Sequence, residues 1–88
     1  MKYSDYLKKG IEEADLSLAQ ICRRVLAKGG GVNKSYLSKL QRGATPPARD
    51  KLNEVLAEVL GLDPLELKTA AYIEKLPPEV VERIKRMA

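Results

Sequence analysis

A chain of 88 residues with one cysteine, no histidine and no tryptophan holds enough surface for a single core; it excludes an intrachain disulfide and leaves too few soft ligands for a zinc site. Hydrophobic residues make up 44% of the sequence and aromatic ones only 5%, so the core must rest on Leu, Ile, Val and Ala, a composition that favours helices over sheets. The net charge of +4 is unevenly spread, because Ser17 to Arg49 contains seven basic residues and no acid, whereas residues 1–16 sum to −1 and residues 50–88 to −2.

In chain order, Tyr3, Tyr6, Leu7, Ile11 and Ala14 recur at the spacing of one helical face and predict a first helix from about Ser4 to Ala14, weakened in its middle by Gly10. Ser17 and Gln20 form a capping box, with Leu16 and Ile21 as its hydrophobic staple. The second helix then buries Leu18, Ile21, Cys22, Val25 and Leu26, turns Arg23 and Arg24 outward, and ends at Gly29, Gly30 and Gly31. Asn33 is an N-cap for a third helix from Lys34 to about Arg42, closed by Gly43 and followed by the break at Thr45, Pro46 and Pro47. Leu52, Val55, Leu56, Val59 and Leu60 mark a fourth helix stopped by Gly61, and Asp63, Pro64 and Glu66 open a fifth that extends to about Lys75. Pro77 and Pro78 start a last short helix whose apolar edge is Val80, Val81, Ile84 and Met87.

The expected fold is therefore all-α, a compact bundle of five to six short helices. Residues 1–75 would form the main domain, and residues 76–88 a C-terminal helix of the same globule. Seven charges in the first 16 residues and no apolar run of membrane length point away from a secretion signal and from a membrane partner, toward a cytoplasmic protein.

The acid-free third of the chain (Arg23, Arg24, Lys28, Lys34, Lys39, Arg42 and Arg49) builds a local positive field that attracts a polyanion. On a helical wheel, Leu37 and Leu40 point one way while Ser35, Ser38 and Arg42 point the other, flanked by Lys34 and Lys39, with Tyr36 at the edge. Small serines let a helix approach base edges, and Lys or Arg reaches guanine acceptors or phosphates. Two helices joined by a glycine turn, the second bearing such a face, predict a helix-turn-helix entering the major groove of double-stranded DNA.

The runs Leu16-Ser17-Leu18-Ala19-Gln20-Ile21 and Gly31-Val32-Asn33-Lys34-Ser35-Tyr36-Leu37-Ser38-Lys39-Leu40-Gln41-Arg42-Gly43, followed by Pro46-Pro47 and Asp63-Pro64-Leu65-Glu66-Leu67, resemble the lambda-repressor-like (Xre/Cro) helix-turn-helix family over residues 4–73. Relative to the family pattern, this chain carries extra residues between Gln20 and Val32 and one in the helix at Leu52–Leu60. The resemblance implies that Lys34, Ser35 and Lys39 face bases, with Ser38 beside them. It further implies that Ser17 sets the start of the second helix against a phosphate, helped by the helix dipole, that Tyr36 and Arg42 hold the DNA backbone, and that Arg49 approaches the sugar-phosphate edge. Asn33 and Arg23 complete the expected backbone contacts.

Other chemistries fit less well. Gly29 to Ser35 has Asn33 where a phosphate-binding loop needs glycine, and it follows a helix rather than a strand. Asn33-Lys34-Ser35 spells a glycosylation acceptor, which has no meaning without secretion. Cys22 lies on the apolar stripe with no histidine to activate it, and Glu12, Glu13 and Asp15 read as a solvated face. No enzyme, cofactor or metal is expected. The apolar edge of the last helix either packs back on the first and fifth helices or makes a homodimer contact. The sequence predicts a DNA-binding transcriptional regulator, a repressor or comparable control protein. The alternatives are an antitoxin or other module whose C-terminal helices bind a protein partner, and an adaptor that uses the fold for protein contacts alone.

Overall fold

The computed structural model describes residues 2–87, which form six helices: α1 Tyr3–Ala14, α2 Leu18–Ala27, α3 Lys34–Arg42, α4 Asp50–Leu60, α5 Pro64–Lys75 and α6 Pro78–Met87. Among the described residues there is no strand, and no helix is long and apolar enough to cross a membrane.

The helix starts follow their side chains. Ser17 Oγ accepts from the Gln20 amide at 3.1 Å while Gln20 Oε1 accepts from the Ser17 amide at 2.9 Å, the reciprocal pair of a capping box. Asn33 Oδ1 accepts from the Tyr36 amide at 2.7 Å, and Asp63 Oδ1 from the Leu65 amide at 2.8 Å ahead of Pro64 at the first helical position. Helix α3 ends at Gly43, whose φ of 72° lies in the left-handed region, and the Ala44 amide returns to the Lys39 carbonyl at 2.9 Å. Replacing Gly43 by alanine places an L-residue in that region and a Cβ 3.2 Å from Ser4 Oγ on α1. A cost of about 1–2 kcal/mol is expected, read as a fall in Tm of roughly 5–15 °C in a thermal melt.

The core is one cluster. Tyr3, Leu7 and Ile11 of α1 meet Ile21 and Val25 of α2, Leu37 and Leu40 of α3, Leu56 and Leu60 of α4, and Leu67 and Ala71 of α5. Helix α1 packs on α3, α4 and α5, and α2 packs on α3 and α4, so α3 is held between α1 and α2. Gly10 serves this packing: a Cβ there would lie 2.8 Å from Leu62 Cδ1, so the glycine that weakens α1 locally admits the chain after α4.

One expectation about packing needs correction. Leu26 is 70% exposed rather than buried, because α2 turns Ile21 and Val25 into the core and leaves Leu26 beyond the edge of that face. Of the three glycines after α2, only Gly29 takes a positive φ, 86°; Gly30 instead lies where a Cβ would sit 2.9 Å from Val25 Cγ1. The C-terminal helix also answers the question of its apolar edge in part. No side chain of α6 within the described residues is buried, and none joins the core cluster. Val81, Ile84 and Lys85 instead face Lys2, Ala70, Ile73 and Glu74 across an open cleft.

Candidate nucleic-acid interface

Helix α3 is oriented by two residues. Leu37 and Leu40 are 0% and 1% exposed, and burying each side chain contributes about 1.5–3 kcal/mol, far more than any surface contact of the helix. Their direction forces the opposite flank to solvent. Lys34, Ser35, Lys39 and Arg42 are exposed, and Tyr36, Ser38 and Gln41 are half-buried along its edges.

Within that flank, Arg42 Nε donates to both the carbonyl and the hydroxyl oxygen of Ser38, each at 3.3 Å. The contact fixes the stem of Arg42 and leaves the two outer guanidinium nitrogens free to donate; Arg42 also lines a cleft with Lys2, Asp5 and Glu74. Ser38 keeps its hydroxyl proton as a donor. Asn33 is exposed, with its carbonyl oxygen committed to the α3 cap and its amide nitrogen left over. Ser17 likewise accepts within its cap while keeping a proton to donate.

Ser17, Arg23 and Arg49 come from other elements. Ser17 caps α2, Arg23 is exposed on α2, and Arg49 is exposed at the N-cap of α4 without a side-chain capping bond. No hydrogen bond or ion pair among the described residues joins these three to the α3 set; what links their elements is the packing of α2 on α3 and α4. Arg24 lies beside Arg23: with Gln20 and Ala27 the two arginines line a shallow groove along α2. The adjacent pair Arg23-Arg24 in an acid-free run was the signal for it.

Three ion pairs occur among the described residues: Lys9–Glu13 at 3.9 Å, Lys28–Glu58 at 2.9 Å and Lys68–Glu54 at 2.7 Å. Only Lys28 comes from the acid-free segment. Its counter-charge, thirty positions away on α4, reduces the seven cations of that segment to six without an ion pair.

The helix ends add to this field. A helix presents a partial positive charge at its N-terminus, usually offset by an acid in the first turn. Helices α1, α4, α5 and α6 carry Asp5, Asp50, Glu66 and Glu79 there. Helices α2 and α3 carry none, and α3 places Lys34 at its first position, an arrangement opposed by about 0.3–1 kcal/mol. An anion at these two ends would reverse the sign of that interaction.

Cys22 is a free, half-buried thiol, and no group of three or more His, Cys, Asp or Glu among the described residues is placed to hold a metal ion. No protein-family model matches the chain, and no curated protein or solved structure matches it either.

Proposed function

We propose that the protein is a sequence-specific DNA-binding regulator in which α2 and α3 act as a helix-turn-helix and α3 enters the major groove. The observation that carries this reading is the α3 flank. Its leucines are buried while Lys34, Ser35 and Lys39 are exposed, neither lysine is in an ion pair, and Lys34 and Ser35 open a helix with no acid in its first turn. In this reading Lys34, Ser35, Ser38 and Lys39 meet base edges, and Ser17, Arg23, Asn33, Tyr36, Arg42 and Arg49 meet phosphates or sugars. Phosphate contacts fix register, and base contacts carry sequence information.

One recognition helix spans only a few base pairs, so the reading includes a homodimer on two half-sites about 34–36 Å apart. What supports a second copy is the distribution of apolar surface. Of eight large hydrophobic side chains that are exposed among the described residues, all but Leu26 lie between Leu65 and Met87, and clustered apolar surface marks an interface. The apolar stripe of α6 is bordered by Arg83 and Lys85. On the other side of α5, a trough lined by Tyr6, Leu65, Ala70 and Ile73 carries the acids Asp63 and Glu66. A cation-edged stripe from one copy suits an acid-edged trough on the other. Bound across a promoter, such a dimer would repress by excluding polymerase.

Selection from a random duplex pool tests this. A two-fold-symmetric motif is expected, with a log–log salt slope of about −4 to −5 if five phosphates are neutralised. Ser35→Ala is expected to change the selected base at one position per half-site. Arg23→Ala is expected to weaken binding to all sequences alike and to flatten the slope by about 1. Absence of any motif, together with a slope near zero, would favour an adaptor role and end this reading.

A further inference from the structure

The loop that joins α3 to α4, residues 44–49, is held in an unusual way. Pro46 and Pro47 have no amide proton to donate. Ala44 is tied back to α3 through the Lys39 carbonyl, and Arg49 is tied forward through its carbonyl to the Asn53 amide at 3.0 Å. Between these points the Ala48 carbonyl accepts from Asn53 Nδ2 at 2.8 Å, and the Ala48 backbone also lies against the Tyr3 hydroxyl.

The Asn53–Ala48 bond is one end of a relay. Tyr3 Oη donates to Asn53 Oδ1 at 2.6 Å, and the Tyr3 amide donates to Glu74 Oε1 at 3.0 Å. Asn53 is 0% exposed and is the one buried polar side chain among the described residues apart from the tyrosine hydroxyl that serves it; Ala48 and Tyr3 are buried with it. No buried side-chain nitrogen or oxygen is left without a partner. Desolvation pushes the Tyr3 hydroxyl up to about 12, so it stays a neutral donor over the whole working range of pH.

A buried amide in an aliphatic core costs free energy unless every group is paired, and a fully paired set defines one arrangement of the elements it joins. The elements joined here are the start of α1, the second turn of α4 and the residue immediately before Arg49. We propose that Tyr3 and Asn53 are positioning residues for Arg49, holding the α3–α4 loop so that the Arg49 side chain is presented to the nucleic-acid backbone. This rests on the proposed function for the role of Arg49, and on the relay alone for the position of the loop.

Tyr3→Phe removes the hydroxyl and keeps the ring in the core. Backbone order parameters at Thr45, Ala48 and Arg49 are expected to fall from ~0.85 toward ~0.6 in this variant, with α2 and α3 unchanged. Duplex binding at fixed salt is expected to weaken about 3- to 10-fold, the worth of one hydrogen bond, and the salt slope to move to that of Arg49→Ala. In the Arg49→Ala background, Tyr3→Phe should weaken binding no further. Asn53→Leu, which removes both ends of the relay, is expected to reproduce the loop mobility. Unchanged order parameters in both variants would overturn the proposal, as would an equal loss of affinity with and without Arg49. Should the parent protein bind no duplex at all, the proposed function fails, and the order parameters alone decide whether the relay holds the loop.

Discussion

The Lys34→Ala/Lys39→Ala double variant is expected to select no motif from a random duplex pool and to lose about 100-fold or more in affinity for the parent operator, since each good base contact contributes about 1–3 kcal/mol of discrimination. Its melting temperature should hardly move. Both side chains are exposed and neither has an ion-pair partner that would be left behind, and substitutions of that kind alter stability by about 0.5 kcal/mol or less. Losing Lys34 also removes a cation from the positive end of α3, a change that favours the folded helix slightly. The informative result is the contrast between lost recognition and retained stability. A variant that binds as the parent does would show that α3 is not the reading helix.

The second large effect concerns assembly. Val80→Asp/Ile84→Asp is expected to convert a dimer into a monomer, seen as a halved mass in light scattering, and to cost about 10²–10⁴-fold in affinity for a two-half-site operator as the avidity of linked binding is lost. A single half-site should be bound about as well as before. The fold should survive, because Val80 and Ile84 are exposed and α6 supplies no member of the core cluster. If the parent is a monomer at tens of micromolar, as a chain in the weak, transient class of interfaces would be, a second copy is the wrong occupant. A protein partner of the antitoxin type then becomes the reading to pursue.

Much of the fold was legible in the sequence because its punctuation is local. Ser17 with Gln20, Asn33, Gly43, and Asp63 with Pro64 each fix a helix boundary through bonds within about one turn, and the observed boundaries follow them closely. The orientation of α3 was legible for a related reason: two leucines three apart leave one side of a short helix free. Leu26 was misplaced because its position, about 100° around the axis from Val25, lies at the limit of the apolar arc. The neutralisation of Lys28 by Glu58 and the Tyr3–Asn53–Ala48 relay join residues 30 and 50 positions apart. They exist only after α2 and α1 have docked on α4, so no window along the chain contains them. Gly10 shows the same limit, since its purpose is Leu62.

With α6 standing outside the core, the molecule separates two properties that many small domains must encode on the same residues. In the proposed dimer, exchanging residues 78–87 for a different amphipathic helix is expected to change which chains associate while leaving the α3 flank untouched. Were the proposed dimer to hold, sets of such proteins that pair only with their own copies would differ within one helix.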